Sequence, residues 1–462
     1  MKRNRIKPEN SLNIIIVGCG KIGENLAQQL AEQGNNITVI DASRERVKEV
    51  CASCDCMGVV GNGATHETQI QAGIRNADLL IAVTGSDELN ILCCLMAKKE
   101  SDCETIARVK NPEYSSETKY LKDELGLAMV INPQNAAAEE IARVLRFPCA
   151  MNIDTFAGGR VELVKFRLPE DSPLVGMSVR EVVSALKCDV LICTVERGEE
   201  AFIAKANLKF EARDIISLVS TPKNAAQFFS KIGYKTHSVK DVIIAGGGET
   251  GKYLTRLLCK DGISVKIIEK DEAVCEELCS MFPEVTVIHG NAGDQETLME
   301  EGIDKAGAFV SLTNLDEENI LISLFARSVG TGKLVTKINR SDFSSVVKHL
   351  DLDSIIYPKN ITSDLIVRYA RAMKNTRGSN VETLYNIINN KIEASEFIVK
   401  EDSPITEAPL MELKFKKDVL IAAILRNKKV IIPRGGDRIM PGDRVVVVSG
   451  ILAIHDISDV LM

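Results

Sequence analysis

Residues 13–23 read Asn-Ile-Ile-Ile-Val-Gly-Cys-Gly-Lys-Ile-Gly, a short apolar run that leads directly into three glycines with the spacing GxGxxG. The run Asn13–Val17 has the length and β-branched content of a buried strand, and residues 22–33 have a helical pattern. In such a turn the first glycine permits a tight bend, the second lets the backbone approach a pyrophosphate, and the third lets helix and strand pack closely. The helix N-terminus presents free N–H groups to an anion. The stretch therefore predicts a nucleotide-binding turn.

An acidic residue follows at the position where such a turn needs one. Asp41 ends the next apolar run, 36–41, eighteen residues beyond Gly23. A carboxylate there accepts hydrogen bonds from ribose hydroxyls and repels a 2′-phosphate. It favours NAD(H) or an adenine nucleotide such as ATP or ADP over NADP, and it does not choose between those two.

The same pattern occurs twice, with offsets of 228 or 229 residues. The repeated pairs are Gly18 and Gly246, Gly20 and Gly248, Gly23 and Gly251, Asp41 and Glu269, Asn62 and Asn291, Thr84 and Thr313, and Arg108 and Lys337. A lone GxGxxG is a weak signal, but two copies with an acid at the same spacing are hard to obtain by chance. The 462 residues are therefore two copies of one unit of about 230 residues.

Each copy predicts two kinds of domain. Its first part alternates β-branched runs with helical patterns, as a doubly wound parallel sheet requires. The predicted strands are Asn13–Val17, Asn36–Asp41 and Asp78–Thr84, and in the second copy Asp241–Ala245, Ser264–Glu269 and Ala308–Thr313. Its last 70 or so residues alternate short strands with one helix, Ser178–Leu186 in the first copy. The predicted fold class is α/β, with two Rossmann-like domains, each followed by a small α+β domain.

We name the Rossmann-like domains N-lobes and the small domains C-lobes. The predicted boundaries are a basic N-terminal tail at 1–11, the first N-lobe at 12–135, a crossover helix at 136–150, the first C-lobe at 151–221, a linker at 222–240, the second N-lobe at 241–358, a second crossover helix at 359–378 and the second C-lobe at 379–462. The linker is expected from its proline, glycine and lysine content. Each crossover helix has an apolar face that needs a partner. Those faces are Ile141, Val144 and Leu145, and then Leu365, Ile366, Tyr369 and Met373.

Composition excludes several classes of function. Lys and Arg number 57 against 64 Asp and Glu, so the formal net charge of −7 gives no general attraction to nucleic acid or an acidic bilayer. Tryptophan is absent and aromatics are 4%, which removes the stacking surfaces of single-strand binders. No apolar stretch approaches the roughly 20 residues of a membrane-spanning helix. We expect a cytoplasmic protein with no nucleic-acid partner.

The thirteen cysteines predict reduced, mostly buried thiols. Cys51, Cys54 and Cys56 include a CxxC spacing that could suggest zinc or redox chemistry, but no second Cys or His pair stands at ligand spacing. No metal site is predicted.

No catalytic constellation is evident. The five histidines do not repeat as a set, and the domain after each N-lobe is small. A dehydrogenase needs a substrate domain and a proton-transfer group beside the nicotinamide. We therefore expect no enzyme activity. An NAD-dependent oxidoreductase with an unrecognised substrate site, and an assembly module whose glycines serve only packing, stay open as alternatives.

The order of parts, with GCGKIG and Asp41 followed by GGGETG and Glu269, resembles the TrkA family of potassium-uptake regulatory subunits, which are built of RCK (KTN) domains. The resemblance spans essentially the whole chain. It implies an N-lobe that binds NAD(H) or adenine nucleotides and a homo-oligomeric ring of lobes. It also implies docking of that ring on the cytoplasmic face of a membrane potassium transporter subunit, with no enzyme activity.

The resemblance also assigns site residues, position by position. In the first copy they are Gly18, Cys19, Gly20, Lys21, Ile22, Gly23, Asp41, Thr84, Gly85 and Arg108, and in the second Gly246, Gly247, Gly248, Glu249, Thr250, Gly251, Glu269, Thr313, Asn314 and Lys337. Arg108 and Lys337 end a further strand, where they reach the phosphates or remain solvated cations. The second C-lobe has a Pro433–Asp437 turn (PRGGD) for which the first has residues 204–208 (AKANL).

Overall fold

The computed structural model describes residues 11–111, 117–147, 150–233, 239–340, 352–376, 381–388 and 392–462, without positions 158, 199, 402, 451–453 and 455, and with the single residues Tyr114, Val347 and Leu350. The chain forms two compact units. One comprises Met1–Ala138 and Tyr357–Gly378, and the other comprises Glu139–Ile356 and Ser379–Met462. Residues 1–10 of the expected basic tail lie outside the described residues.

The first unit is built on a parallel six-stranded sheet with the order β3-β2-β1-β4-β5-β6. Its strands are β1 Asn13–Val17, β2 Asn36–Asp41, β3 Cys56–Val60, β4 Leu79–Ala82, β5 Glu104–Arg108 and β6 Met129–Ile131. Between them run α1 Lys21–Glu32, α2 Arg44–Ser53, α3 His66–Gln71, a 3₁₀ turn Ile74–Asn76, α4 Asp87–Glu100 and α5 Thr118–Asp123, and α6 Pro133–Arg146 follows. The strand order reverses between β1 and β4, which opens a crevice at the carboxyl ends of these strands.

The second crossover helix, α13 Pro358–Thr376, packs on α1 of the first copy. Its residues Ile366, Val367 and Ala370 are buried in the same core as Leu26 and Leu30 of α1. The Arg371 Nε atom donates to Gln33 Oε1 at 2.9 Å. The apolar face of this helix is therefore covered within its own chain, and it does not itself require a second protomer.

The second unit repeats the parallel sheet with the order β14-β13-β12-β15-β16-β17. Its strands are β12 Asp241–Ala245, β13 Ser264–Glu269, β14 Thr286–His289, β15 Ala308–Ser311, β16 Lys333–Lys337 and β17 Ser354–Ile356. The helices that connect them are α9 Glu249–Lys260, α10 Glu272–Met281, α11 Gln295–Glu300 and α12 Asp316–Ser328. At the end of α6, Arg146 pairs with Asp261 at the end of α9, at 2.9 Å, which repeats the Arg371–Gln33 contact of the first unit.

Both C-lobes lie in this second unit, each built on an antiparallel sheet. The first has the order β10-β9-β11-β8-β7, with β7 Ala150–Phe156, β8 Val161–Arg167, α7 Val179–Leu186, β9 Val190–Arg197, β10 Glu200–Ile203, β11 Ile215–Ser220 and α8 Pro222–Lys231. The second has the order β18-β19-β22-β20-β21, with β18 Val381–Ile388, β19 Ile392–Ile398, β20 Val419–Arg426, β21 Lys429–Ile431, β22 Arg444–Ser449 and 3₁₀ turns at Pro404–Thr406 and Ile457–Val460. The two sheets share a buried core to which Phe156 and Leu163 of the first contribute, with Ala394 and Val448 of the second. The predicted combination of Rossmann-like and small α+β domains is confirmed.

The predicted linker at 222–240 is wrong for its first half, which is the helix α8. Thr221 caps this helix by accepting the Asn224 N–H at 3.3 Å, and Pro222 occupies the first helical position, where its missing N–H costs nothing. Phe228 and Phe229 are fully buried and pack edge-to-face with Phe166 of β8. Pro222, which the sequence analysis took as a sign of a linker, instead begins a helix. Residues 234–238 of the predicted linker lie outside the described residues.

Candidate nucleotide-binding sites

The first glycine-rich turn has the geometry that its three glycines suggest. Gly18 has a φ of +106°, and a Cβ there would lie 3.0 Å from the backbone N of Thr84. A Cβ at Gly23 would lie 1.8 Å from the carbonyl oxygen of Gly18. At Gly20, in contrast, a Cβ would meet no described atom within 4 Å. Positions 18 and 23 therefore need glycine for the fold itself, whereas Gly20 borders open space.

The open space at Gly20 lies at the start of α1. Gly20 is the N-cap residue, its backbone is extended, and no side chain of the described residues caps the helix. The N–H groups of a first helical turn have no partner within the helix, and the helix dipole adds positive potential there. Lys21, the first helical residue, is exposed at the same end. An anion such as a pyrophosphate fits this position.

Asp41 holds the glycine turn in place. Its Oδ2 accepts the backbone N–H of Cys19 at 2.7 Å, and its Oδ1 accepts the N–H of Ser43 at 2.8 Å. Ser43 in turn caps α2 through the Arg46 N–H. The carboxylate at the end of β2 therefore positions both the turn and the start of α2, a contribution that the sequence did not reveal. It stands beside the turn, where a ribose would lie.

Thr84 and Gly85 follow β4 across the crevice from the glycine turn, and they depend on a residue that the sequence analysis missed. Asn90 of α4 is fully buried, and its Oδ1 accepts the Thr84 N–H at 2.8 Å and the Thr84 hydroxyl at 2.7 Å. Its amide nitrogen donates to the carbonyl of Arg108 at 2.8 Å. Asn90 thus ties together the ends of β4 and β5, beside the crevice.

Arg108 is not a solvated cation. Its guanidinium lies beside Thr84, and Nη2 donates to the Thr84 carbonyl. Its Nε is buried and has no hydrogen-bond partner among the described residues. Burial lowers the pKa of Arg108, with the nearby Asp87 carboxylate acting in the opposite direction. A buried donor without a partner at the crevice edge suits an anionic ligand.

The second site repeats this geometry. Gly246 has a φ of +105°, a Cβ at Gly251 would lie 2.6 Å from the Gly246 carbonyl oxygen, and Gly248 borders open space. Glu269 reaches the turn as Asp41 does, and its Oε2 accepts the Gly247 N–H at 2.7 Å. Asn319 repeats Asn90 and accepts the Thr313 N–H at 2.9 Å.

Lys337, like Arg108, is not a solvated cation. It is buried, and its Nζ donates to the carbonyl of Leu312 at 2.8 Å. Burial lowers its pKa, against the opposing effect of Asp316. Asn314, which follows Thr313 in the crevice loop, is exposed.

The two sites differ in the side chains around the same backbone. Lys21 begins the first helix, whereas Glu249 begins the second and pairs with Lys252 at 3.0 Å. Cys19 lies within the first turn, where burial, aided by Asp41, raises the pKa of its thiol to about 12. At Gly247 a Cβ would lie 2.5 Å from Leu278 Cδ1, so a side chain in the second turn would have to displace that leucine.

The other repeated polar residues serve local structure. Asn62 Oδ1 accepts the Ala64 N–H at 3.0 Å, and Asn291 Oδ1 accepts the Gly293 N–H at 3.1 Å. His66 is exposed and lies 3.0 Å from Glu100. Within the described part of the chain, no group of three or more His, Cys, Asp or Glu side chains could hold a metal ion. None of the described helices is long and apolar enough to cross a membrane.

Two family models match most of the sequence. The TrkA-N domain matches residues 14–133 and again 242–358, and the TrkA-C domain matches 163–233 and 394–461. The chain belongs to the TrkA family. Among its TrkA relatives, the Trk system potassium uptake protein TrkA homolog 1 of Methanosarcina mazei is 31% identical over 97% of this chain and 99% of its own length. The TrkA homolog of Archaeoglobus fulgidus is 32% identical over 94% of this chain and 97% of its own.

Solved structures share the TrkA-family fold seen here. A structure of the GsuK channel superposes with a TM-score of 0.62 at 18% identity, covering 96% of this chain and 77% of the channel chain. A structure of the GsuK RCK domain gives 0.61 at 17% identity, covering 96% and 93%. The tandem of N-lobes and C-lobes is therefore an RCK architecture.

Proposed function

We propose that this chain is a nucleotide-binding regulatory subunit of a membrane potassium-uptake transporter. The observation that carries the proposal is the glycine turn with its acid, present in both copies of a chain that matches Trk potassium-uptake relatives over nearly its full length. The protein acts in the cytoplasm, at the inner face of the membrane, as a homo-oligomeric ring bound to the transporter subunit.

The ligand is NAD(H) or an adenine nucleotide such as ATP or ADP. Its pyrophosphate lies against Gly20 and the first turn of α1, where the space is open and the N–H groups are uncapped. Its ribose lies beside Asp41, and Arg108 offers a buried N–H at the far side of the crevice. At the second site the corresponding ligand-binding positions are Gly248, Glu269 and the Thr313–Asn314 loop. The GsuK structure that shares this fold has also been solved bound to NAD.

The nucleotide is bound and released without being consumed. At the first crevice, Asp87 accepts the N–H groups of Lys110 and Asn111, and Asn90 is bonded to Thr84 and Arg108. These groups hold the strand ends together, and we assign them a structural role. The ligand supplies charge and binding energy, and it changes transport by binding one arrangement of lobes more tightly than another. Such coupling is typically about 1 to 3 kcal/mol per site.

Equilibrium dialysis of the full chain with NADH and with ATP tests the proposal. We expect saturable binding, no turnover of NADH with a panel of carbonyl substrates, and copurification of a potassium transporter subunit from membranes. A chain that bound neither nucleotide, or that oxidised NADH catalytically, would contradict the proposed function. Gly20→Ala and Gly248→Ala, each of which fits the ligand-free backbone, separate the two sites.

A further inference from the structure

Three cysteines of the first N-lobe meet at the end of α2. Cys51 lies in its last turn, Cys54 is its C-cap residue, and Cys56 is the first residue of β3. The Cys56 Sγ donates to Cys51 Sγ at 3.4 Å, and Cys54 is also within hydrogen-bonding reach of Cys56. All three are partly exposed. Each of the three residues therefore has part of its surface in contact with solvent.

The backbone makes room for the cluster. Gly58 of β3 faces α2, and a Cβ there would lie 2.4 Å from Val47 Cγ1 and 2.8 Å from Cys51 Sγ. The glycine thus lets the helix sit close enough to the strand for Cys51 to reach Cys56. A glycine in a strand interior often marks such a close approach.

The second copy builds the same helix and strand without these thiols. Cys279 stands in the place of Cys51, but it is exposed, and Phe282 is the C-cap residue in the place of Cys54. In the second copy Lys266 pairs with Thr286, as Thr38 pairs with Met57 in the first copy. Val285, the residue before Thr286, therefore takes the place of Cys56. The fold therefore does not require a cluster of thiols at this position.

We propose that Cys51 and Cys56 are a redox modification site that closes reversibly to a disulfide. A low-molecular-weight disulfide is the oxidant. The Cys51 sulfur, after losing its proton to water, attacks one sulfur of that disulfide and expels a small thiol, which takes up a proton. The Cys56 sulfur then loses its proton, attacks Cys51 Sγ and expels the second small thiol. Two protein thiols are oxidised, and one small disulfide is reduced to two thiols.

Geometry favours this pair over the alternatives. The two sulfurs are 3.4 Å apart and need to approach to about 2.05 Å, a closure of about 1.4 Å within a segment that turns from helix to strand. Burial and the neighbouring thiols raise the pKa of Cys56, which makes it a poor first nucleophile, and it already points its S–H at Cys51. Cys54 instead donates to the Val50 carbonyl at 3.3 Å. In a reducing cytoplasm the thiol form predominates, so the disulfide would mark oxidising conditions.

Peptide mapping of the full-length protein tests the pairing directly. The purified chain is incubated with 2-hydroxyethyl disulfide, its remaining thiols are alkylated, and it is cut by a protease specific for the N-terminal side of aspartate. Cleavage before Asp55 separates Cys51 and Cys54 from Cys56. A Cys51–Cys56 bond holds the two fragments together until a reductant is added, whereas a Cys51–Cys54 bond does not.

Four variants complete the test. We expect the linked fragments from wild type, Cys54→Ser and Cys279→Ser, and none from Cys51→Ser or Cys56→Ser. Each positive case should lose two thiols, from the thirteen of the wild type and from the twelve of each variant. No linked fragments from the wild type, or a link that survives Cys51→Ser and disappears with Cys54→Ser, would overturn the proposal. The wild-type map does not depend on how any variant folds.

Discussion

Replacing Gly20 with alanine is expected to impair ligand binding, whereas replacing Gly23 with alanine is expected to impair folding. Both belong to the same turn, three residues apart, and both would be grouped as nucleotide contacts by motif alone. The structure separates them, because one borders open space and the other contacts backbone. Gly20→Ala should therefore abolish ligand binding at the first site of a folded protein, and Gly23→Ala should damage the fold whether or not a ligand is present.

The expected magnitudes follow from the contacts. At Gly20 a new methyl meets no described atom within 4 Å, and alanine at an N-cap position costs up to about 1 kcal/mol of stability. At Gly23 the methyl would lie 1.8 Å from a carbonyl oxygen, so the turn must move, at a cost of about 3 kcal/mol or more. In the second copy, Gly251→Ala meets the equivalent oxygen at 2.6 Å and should cost about 1 to 3 kcal/mol.

Thermal unfolding with and without nucleotide measures both effects. A ligand at 100 times its dissociation constant stabilises its site by about 2.7 kcal/mol, and Gly20→Ala should lose that gain at the first site while its ligand-free melting temperature stays near wild type. The double variant Gly20→Ala/Gly248→Ala should bind no nucleotide in equilibrium dialysis. Normal binding by Gly20→Ala would refute the placement of the pyrophosphate, and wild-type stability of Gly23→Ala would refute the packing argument.

Four further outcomes are expected. Asp41→Ala removes two hydrogen bonds to backbone N–H groups as well as the ribose contact, so nucleotide titration and melting should show weaker binding together with about 1.5 to 3 kcal/mol less stability. Asn90→Ala should cost about 1 to 3 kcal/mol because it leaves the buried Arg108 carbonyl and Thr84 N–H without a partner, and urea unfolding measures the loss. Ile366→Asp should destabilise the first unit by several kcal/mol through an unpaired buried charge, and a melting curve as stable as wild type would contradict the α13–α1 packing. Glu162 has a buried Oε2 without a partner among the described residues, and burial raises its pKa above 4.5. The folded state therefore keeps this proton to a higher pH than the unfolded state does, and the free energy of unfolding falls as the pH rises through the raised pKa. Glu162→Gln should remove this loss and melt at a higher temperature than wild type at pH 8 but not at pH 4.

The local sequence was sufficient to predict the strands and the glycine turn at the first crevice. β1 and β2 have the bounds that their apolar runs predict, because a short β-branched run in a parallel sheet is buried on both faces and leaves a continuous signal. Gly18 and Gly23 were predictable because hard steric limits leave few other residue types possible there. Gly18 has a φ of +106°, and a Cβ at Gly23 would lie 1.8 Å from a carbonyl oxygen. Both features depend on neighbours close in the chain or on hard steric limits.

Long-range partners were not predictable in the same way. The sequence marked α13 as apolar on one face, but it gave no sign that α1 of the first copy, more than 300 residues earlier, covers that face. Asn90 was missed because a lone asparagine in a helical pattern looks like a surface residue. One signal was available: Thr84 and Asn90 recur as Thr313 and Asn319 with the same offset of 229, and a repeat of that kind in polar residues indicates a shared local structure.

The duplication preserves the backbone of the site and changes its charges, which makes the two sites inequivalent. Gly18 and Gly20 have nearly the same backbone conformations as Gly246 and Gly248, and Gly23 and Gly251 each face the carbonyl oxygen of the first glycine of their turn, so the main-chain cradle is common to both. A phosphate at the first site would meet Lys21 at the start of the helix, whereas at the second site it would meet Glu249. Lys252 offsets that carboxylate only in part, because it is shared with Glu277 at 2.7 Å. Charges at a helix N-terminus change binding by about 0.3 to 1 kcal/mol each, so the same nucleotide should fill the first site before the second, and intermediate concentrations should leave the chain with one site occupied.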